Sequence, residues 1–300
     1  MTRADGAAGG SAEGAAGAVL VLTAAAGIPQ ALAQEAARAA GAPFRRLSPD
    51  AVEIAGAPES LARARAALAP APVDANIVPA ENRRKKLLIA DMDSTIITVE
   101  CIDELADMAG IKAEVAAVTE AAMRGELDFA ASLRARAALL KGLDQDALEK
   151  VWRERIRLSP GARALVRTMS AAGARTALVS GGFAFFAERV AAAAGFSTIR
   201  ANRLIVENGR LAGKVAEPIL GRDAKLETLR ALAAADGLSP ADVLAVGDGA
   251  NDIAMVEAAG LGVAYRAHAA LAARADATLA HSDLTALLRL QGFSDAEIAR

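Results

Sequence analysis

The stretch LLIADMDSTIITVE, residues 87–100, joins a short apolar run directly to two aspartates. Leu87–Ala90 is apolar without interruption, as expected of a parallel β-strand that is buried on both faces. Asp91 and Asp93 follow at once, one residue apart. Two carboxylates at a strand end repel each other and need water or a cation beside them. The stretch therefore predicts a buried strand that ends in a polar site.

The same apolar pattern recurs at Thr176–Val179, Val243–Val246 and Gly262–Tyr265, with helix-period sequence between the runs. Strands that alternate with helices predict an α/β fold with a doubly wound parallel sheet, a Rossmann-like core. The segment of residues 100–157 is far longer than one crossover helix needs. We interpret it as a helical cap inserted over one end of the sheet. An Asn-Gly pair at 208–209, between two alternating runs, predicts a β-hairpin.

A smaller module precedes this core. Residues 1–18 are mostly Ala and Gly, a composition typical of disorder. Residues 19–80 predict the order βαββαβ, the ferredoxin-like arrangement. The predicted elements are Val19–Thr23, Pro29–Ala40, Phe44–Leu47, Val52–Ile54, Glu59–Ala69 and Val73–Val78. The order resembles amino-acid-sensing ACT domains, although no motif accompanies it, and a structural or dimerising module is the alternative.

These patterns divide the chain into three parts. We expect a disordered tail (1–18), a small module (19–80) and a larger domain (81–300) with its core at 87–99 and 158–290. The segment PAENRRKK, residues 79–86, is interpreted as the linker between the last two parts. We interpret its basic run, Arg83–Lys86, as a solvated entry to the first strand of the core.

Composition excludes several classes of function. The net charge of −2 gives no basic surface for nucleic acid. A single cysteine, Cys101, cannot form an internal disulfide, which fits a reducing cytoplasm. No apolar run approaches the ~18 residues of a membrane span. The apolar stretch 15–27 is similar to the core of a signal peptide, but Asp5 and Glu13 oppose that interpretation. We expect a soluble cytoplasmic protein.

Polar clusters follow three of the predicted strands. They are Asp91 with Asp93, the triplet Ser-Gly-Gly at 180–182, and the segment GDGAND at 247–252. The carboxyl ends of parallel strands form one edge of the sheet, and that edge binds ligands in open α/β folds. A single such cluster is compatible with an ordinary turn or helix cap. Three successive clusters predict a shared site.

The residue types of this edge suit a metal and a phosphate. Asp91, Asp93 and Asp248 place three acids in one crevice, which predicts a hard, oxygen-bound cation such as Mg²⁺. Ser180 and Lys225 supply hydrogen-bond donors for a phosphate without adding negative charge. The two histidines, His268 and His281, fall outside the clusters, and we expect surface or packing positions for them. Zinc is therefore not expected.

At this point a family resemblance becomes visible. The motifs DMDST, SGGF, Lys225 and GDGAND resemble those of the haloacid dehalogenase-like phosphatases. Within that superfamily, the segments ECIDELADMAG, EAAMRGELDFAASLRAR, SGGFAFFAERV, ANRLIV and GDGANDIAMVEAAGLGVAY are similar to the phosphoserine phosphatase family. The resemblance runs from about residue 87 to residue 285.

The resemblance implies a mechanism. Asp91 would be the nucleophile and form an aspartyl phosphate. Asp93, which points the same way at a strand end, would be the general acid and base. Mg²⁺ would be bound by Asp91, by the backbone carbonyl of Asp93 and by Asp248. Asp252 would support the metal through water, or alternatively cap a helix.

The resemblance also assigns the groups that hold the phosphoryl oxygens. Ser180, the Gly181 amide and Lys225 would bind these oxygens, and Asn251 would orient Lys225 or the phosphate. A second acid at Asp93 suits a poor alkoxide leaving group, because such a group needs a proton. The implied substrate is thus a phosphate ester of an alcohol.

Substrate choice is expected to come from the cap. The resemblance places Glu100 on a substrate ammonium and Arg136 on its carboxylate, with Arg134 as the alternative to Arg136 and a surface position as the alternative for Glu100. Residues Met123, Gly125 and Phe129 would line the lid, whereas helical periodicity alone favours core positions for Met123 and Phe129. Cys101 is expected to be packed rather than catalytic.

The function that the resemblance implies is hydrolysis of O-phospho-L-serine, the last step of serine biosynthesis, and we expect the protein to form a homodimer. One alternative is a related phosphatase or phosphotransferase acting on another small phosphomonoester. Another is a catalytically silent amino-acid sensor dominated by residues 19–78. The intact acids at positions 91, 93 and 248 argue against the sensor.

Overall fold

The computed structural model describes residues 17–221 and 223–299, except for the side chain of Met123. The predicted disordered tail lies outside this range apart from its last two residues, and Ala18 already belongs to the first strand. Within the described ranges, no helix combines the length and the apolar character that crossing a bilayer requires.

Residues 18–79 form the N-terminal module, an antiparallel sheet covered on one face by two helices. Its elements are β1 (Ala18–Thr23), α1 (Gln30–Ala40), β2 (Phe44–Ser48), β3 (Ala51–Gly56), α2 (Pro58–Leu68) and β4 (Asp74–Pro79). The strand order is β2-β3-β1-β4, and every pair is antiparallel. This is the ferredoxin-like arrangement that the sequence predicted. Gly41 ends α1 with φ of 78°, a conformation that glycine adopts without a steric cost.

The two faces of this small sheet have different partners because side chains alternate along a strand. Leu20, Leu22 and Ile54 are buried against the module's own helices. Val21 and Val78, on the opposite face, belong to the main core of the protein. The sheet is therefore covered on both sides, by its helices and by the larger domain.

The larger domain is built on a six-stranded parallel sheet. Its strands are β5 (Leu87–Ala90), β6 (Arg175–Phe183), β7 (Thr198–Asn202), β10 (Val243–Gly247), β11 (Leu261–Tyr265) and β12 (Ala277–Leu279). The strand order is β12-β11-β10-β5-β6-β7. The chain adds β6 and β7 on one side of β5 and then β10, β11 and β12 on the other side, as in doubly wound folds. The predicted fold class is confirmed. The strands β7 and β12 were not predicted, and both lie at the edges of the sheet.

Helices cover both faces of the parallel sheet. They are α7 (Ala162–Ala171), α8 (Ala184–Ala194), α9 (Ala224–Ala235), α10 (Ile253–Ala258), α11 (Ala269–Ala272) and α12 (Ala286–Leu290). Leu87 and Ile89 share a buried cluster with α9 and α10, whereas Leu88 and Ala90 pack with α7, α8 and α12. The uninterrupted apolar sequence of β5 follows from this burial on both faces.

Four helices form the predicted cap between β5 and α7: α3 (Cys101–Ala109), α4 (Lys112–Met123), α5 (Phe129–Leu139) and α6 (Asp146–Glu154). The predicted hairpin consists of β8 (Leu204–Glu207) and β9 (Arg210–Val215). Asn208 and Gly209 have φ of 52° and 74°, as a type I′ turn requires. The hairpin bonds to the loop after α5, where the amides of Gly142 and Leu211 donate to the carbonyls of Leu211 and Leu143, at 2.8 Å each.

The basic linker differs from its predicted role. Arg83 is largely buried, lies 2.7 Å from a Glu53 carboxylate oxygen and donates to the carbonyls of Leu290 and Arg289. The interpretation of Arg83 as a solvated residue is therefore wrong. A guanidinium has several donors in one plane and can bridge two parts of a fold, and here it joins the N-terminal module to the segment around α12.

Candidate active site

A cavity of about 630 Å³ lies between the carboxyl ends of the parallel strands and the cap. The predicted site residues that line it are Asp91, Asp93, Glu100, Phe129, Arg136, Ser180, Gly181, Asp248 and Asn251. Lys225 and Asp252 are buried in contact with this lining. The side chain of Met123 lies outside the described residues, so its predicted place in the lid stays a prediction. Gly125 was expected in the lid, but it is not part of the lining and has φ of 80°.

The two acids of the opening stretch are presented by a wide helical turn. Asp91 continues the register of β5, since its amide donates to the carbonyl of Val246 at 3.0 Å. Met92–Ile96 then form a π-type turn, closed by the bond from the Ile97 amide to the Met92 carbonyl. Ser94 has φ of 54°, a conformation that non-glycine residues adopt at an energetic cost. The turn directs both carboxylates into the cavity, whereas Met92, which lies between them in the sequence, is buried in the hydrophobic core.

Lys225 is buried between two carboxylates. Its Nζ lies 2.7 Å from Asp91 Oδ1 and 2.5 Å from Asp252 Oδ1. Burial alone would lower the pKa of Lys225, but the charges of Asp91 and Asp252 outweigh this effect and raise the pKa. The pKa of Asp91 is raised by burial and by repulsion from Asp252, with Lys225 opposing both. The two carboxylates therefore favour the protonated form of Lys225 beside Asp91.

Asp252 has both of its oxygens occupied. Oδ1 pairs with Lys225, and Oδ2 accepts the amides of Asp248 and Gly249 at 3.2 and 3.0 Å. Asn251, which was expected to orient Lys225 or the phosphate, lines the cavity. The contact with Lys225 is made by Asp252. Of the two roles that the sequence left open for Asp252, the bond from the Gly249 amide is compatible with a cap, while support of the metal through water stays a prediction; its carboxylate also contacts Lys225.

The acids fit a hard metal ion. Asp91, Asp248 and Asp252 each offer a carboxylate oxygen within 4.8 Å of the others. Since Asp252 is fully hydrogen-bonded, Asp91 and Asp248 are the side chains best able to ligate an ion. Thr95 Oγ1 donates to Asp248 Oδ1 at 3.1 Å and orients that carboxylate. Oxygen ligands without a soft donor in the cluster suit Mg²⁺.

Asp93 turns its carboxylate away from this metal-binding group. Its Oδ1 accepts the Cys101 amide at 2.9 Å, and its Oδ2 accepts the Ser180 hydroxyl at 3.1 Å. Burial raises the pKa of Asp93, while the hydrogen bonds from Cys101 and Ser180 oppose the shift. Its side chain is therefore placed for proton transfer, and only its backbone carbonyl is left for the predicted metal contact.

The Ser-Gly-Gly triplet, predicted to follow a strand, forms the irregular carboxyl end of β6 and lies close to both Asp93 and Phe129. Ser180 Oγ accepts the Gly182 amide at 2.8 Å. A Cβ atom on Gly181 would lie 2.7 Å from Cζ of Phe129, and one on Gly182 would lie 2.7 Å from Asp93 Oδ2. Both positions need glycine because of these close approaches. Phe129, at the start of α5, thus packs against Gly181 at the carboxyl end of β6.

Opposite charges from the cap line the cavity. Glu100 Oε1 accepts the Ser94 hydroxyl at 2.6 Å. Burial first, and repulsion from Asp93 second, raise the pKa of Glu100 to about 7. Burial lowers the pKa of Arg136, against the attraction of Asp103 and Glu100. One acid and one base at the same end of a cavity can pair with a zwitterion.

Several positions differ from or refine the sequence predictions. Arg134, the alternative to Arg136, lies at the surface, 2.7 Å from Glu217. His268 was expected outside the site, but it lines the cavity, and its amide donates to the Asp248 carbonyl at 3.0 Å. It follows β11, so the strand-end rule could have found it. Cys101 is buried as predicted, and burial raises the pKa of its thiol, which keeps the thiol neutral.

Comparison with known proteins defines the family. The model of the haloacid dehalogenase-like hydrolases matches residues 88–257. The chain is 44% identical to the phosphoserine phosphatase of Archaeoglobus fulgidus over 69% of its length and 60% of that protein. It is also 44% identical to the phosphoserine phosphatase of Albidiferax ferrireducens over 68% of its length and 89% of that protein.

Solved structures extend the likeness to the N-terminal module. The structure of a probable phosphoserine phosphatase from Vibrio cholerae aligns with a TM-score of 0.79 at 30% identity, covering 92% of this chain and 86% of that one. The chain belongs to the haloacid dehalogenase-like hydrolases. Within them, it is a member of the phosphoserine phosphatase family.

Proposed function

We propose that the chain hydrolyses O-phospho-L-serine to L-serine and phosphate, with Mg²⁺, through an aspartyl-phosphate intermediate. The observation that carries the proposal is one cavity that holds the pair Asp91–Lys225, the acid Asp93 and the opposite charges of Glu100 and Arg136. The relatives named phosphoserine phosphatase support the substrate.

Asp91 is the nucleophile in this proposal. Its Oδ1 is held by Lys225 and by the Met92 amide at 2.8 Å, which leaves Oδ2 for attack. As the bond from this oxygen to phosphorus forms, the bond from phosphorus to the serine oxygen breaks. Lys225 and Ser180, with the Gly181 amide, hold the phosphoryl oxygens while charge moves onto them. Asp91, Asp248 and the backbone carbonyl of Asp93 would hold Mg²⁺, which would supply further positive charge at these oxygens.

Asp93 supplies and then recovers one proton. Its raised pKa favours the protonated form, which gives the proton to the departing serine oxygen. In the second half-reaction Asp93 takes a proton from water, and this water attacks phosphorus. The bond from phosphorus to Asp91 then breaks, which releases phosphate and restores both carboxyl groups. Before substrate binds, the hydroxyl of Ser180 donates to Asp93 at 3.1 Å and orients its carboxylate, and the same proton turns to a phosphoryl oxygen during transfer.

Selection of the amino acid falls to the cap. Glu100 binds the substrate ammonium and Arg136 its carboxylate, and Phe129 closes over the bound molecule from its contact with Gly181. A sugar phosphate offers neither of these charges. This charge pair favours phosphoserine over the other phosphomonoesters that the same chemistry would accept, and a phosphotransferase would need a second alcohol in place of water.

The remaining parts of the proposal concern the setting of the reaction. We place the reaction in the cytoplasm as the last step of serine biosynthesis, which the single free cysteine fits, since Cys101 is buried and unpaired. A homodimer is part of the proposal as well. Residues 19–80, the cap at residues 100–157 and the flanking core segments are proposed as the domains of the chain.

The deciding experiment is phosphate release from L-phosphoserine, with and without Mg²⁺, by wild type and by Asp91→Asn. Metal-dependent release that the substitution abolishes is the expected result. Release from a generic aryl phosphate but not from phosphoserine would retain the chemistry and refute the substrate. Absence of release from both would favour the amino-acid sensor.

A further inference from the structure

A buried carboxylate of the N-terminal module holds a loop of the larger domain. Asp74, the first residue of β4, is 6% exposed. Its two oxygens accept the backbone amides of Ala280, His281 and Ser282 at 2.9 to 3.2 Å, and the Ser282 hydroxyl at 2.7 Å. Charge-assisted bonds of this kind are about twice as strong as neutral ones. Residues 280–282 are therefore fixed by the module.

Asn76, on the same face of β4, binds the edge of the large sheet. Its Nδ2 donates to the Thr278 carbonyl and its Oδ1 accepts the Thr278 amide, both at 2.9 Å. Thr278 lies in the edge strand β12, whose other side pairs with β11. The side-chain amide of Asn76 thus takes the place of a neighbouring strand and closes an edge that would otherwise be open.

Two backbone hydrogen bonds connect the segment of residues 278–282, which Asp74 and Asn76 hold, to Asp248. The carbonyl of Leu279 accepts the amide of Arg266 at 2.8 Å, and two residues later the amide of His268 donates to the Asp248 carbonyl at 3.0 Å. Arg266 has φ of 48°. A non-glycine residue keeps such a conformation only where its surroundings hold it there. The Arg266–His268 loop therefore depends on β12 for its shape.

We propose that Asp74 and Asn76 are positioning residues for the metal site. By fixing residues 278–282 they hold the Arg266–His268 loop, which in turn holds the backbone of Asp248. The N-terminal module thereby sets the affinity of the catalytic domain for Mg²⁺. This inference rests on the proposed function, which places Mg²⁺ between Asp91 and Asp248.

The test measures metal binding directly on the full chain, with Mn²⁺ as a probe detected by electron paramagnetic resonance. Asp74→Asn keeps the shape of the side chain but turns an amide donor towards three backbone donors. We expect the Kd for Mn²⁺ to rise by about tenfold, within the usual effect of residues that orient metal ligands. The KM for phosphoserine at saturating Mg²⁺ should stay at the wild-type value, a separation that a general loss of structure would not give.

Glu53→Gln is the matched control. Glu53 is equally buried at the same interface, but its partners are Arg45, within the module, and Arg83, which leads to α12 rather than to Asp248. Its Mn²⁺ affinity should equal that of wild type. An equal loss in Glu53→Gln, or a folded Asp74→Asn with wild-type affinity, would overturn the inference.

Two milder variants decide the matter if Asp74→Asn does not fold by circular dichroism. Ser282→Ala and Asn76→Ala each remove part of the same clamp and should weaken Mn²⁺ binding in the same direction. Wild-type affinity in both would refute the positioning role. A wild-type chain that binds no Mn²⁺ would instead remove the proposed function, and this inference with it.

Discussion

Lys225 and Asp91 form a buried ion pair, 2.7 Å between Nζ and Oδ1, in which the lysine also neutralises Asp252. The first carboxylate belongs to the predicted nucleophile and the second to the turn that carries Asp248. One cation thus holds together the two halves of the proposed phosphoryl-transfer site.

Replacement of this cation should damage both activity and stability. In Lys225→Met we expect kcat to fall by a factor on the order of 100 to 1,000, because a transition-state donor is lost. The free energy of unfolding should fall by about 3–5 kcal/mol, because two buried carboxylates lose their partner. Phosphate-release kinetics and urea unfolding measure the two effects. Lys214→Met, at an exposed lysine, is the control. A kcat of Lys225→Met within threefold of wild type (roughly 0.6 kcal/mol) would refute the role of Lys225 as a transition-state donor.

The two arginines of α5 provide a matched pair. Arg136→Ala should lower kcat/KM for phosphoserine by at least about tenfold, since a charged hydrogen bond to the substrate carboxylate is lost. An aryl phosphate, which has no such carboxylate, should be turned over at the wild-type rate. Arg134→Ala removes only a surface ion pair and should leave both substrates unaffected. Equal losses on both substrates in Arg136→Ala would contradict the carboxylate-binding role.

The contact between lid and loop can be tested by overpacking. Gly181→Ala places a Cβ 2.7 Å from Cζ of Phe129, so either Phe129 or the carboxyl end of β6 must shift. We expect kcat/KM for phosphoserine to fall, and the second substitution Phe129→Leu to restore part of the loss by making room. A double-mutant cycle gives the coupling between the two positions. Strictly additive effects would show that the two residues do not meet during turnover.

The raised pKa of Glu100 predicts a pH dependence of substrate binding. With a pKa of about 7, the carboxyl group is neutral below this pH and ionised above it. Only the ionised form attracts the substrate ammonium, so KM for phosphoserine should rise as the pH falls through 7. Profiles of kcat/KM between roughly pH 5.5 and pH 8.5, a range that brackets the pKa of Glu100, measure the effect.

Glu100→Gln separates this ionisation from that of the substrate. The phosphate group of the substrate itself titrates with a second pKa of about 6. Its effect on the pH profile remains in the variant. The step near pH 7 should disappear in Glu100→Gln while the substrate's own step stays. A profile of unchanged shape would assign the titration to another group.

Much of the core was predictable because its evidence is local. The uninterrupted apolar run of β5 and the acids that follow it stand next to each other in the sequence, so strand and site are found together. The edge strands β7 and β12 escaped prediction because they are short or half exposed, with no continuous apolar run. Their place is decided by pairing with β6 and β11.

The parts of the site that could not be predicted depend on contacts between distant segments. Arg134 and Arg136 are two residues apart on a helix and therefore face different directions, but sequence alone does not say which one faces the cavity. The pairing of Asp252 with Lys225 spans 27 residues, from the start of α9 across β10 to the turn before α10. His268 was set aside because it lies outside the quoted motifs, although its position after β11 follows the same topological rule as theirs.

The hairpin of β8 and β9 has a consequence for turnover. The cap is joined to the core by two connecting segments, which pair with each other at Ile97 and Leu158. The hairpin forms a third attachment, because it is hydrogen-bonded to the loop of the cap that follows α5. A cap attached only through its two connecting segments can open by itself. A cap that is also hydrogen-bonded to the hairpin must move the hairpin when it opens, or break those bonds. We therefore expect product escape to require a concerted motion of the cap and hairpin, and the frequency of that motion to set an upper limit on the number of catalytic cycles per second.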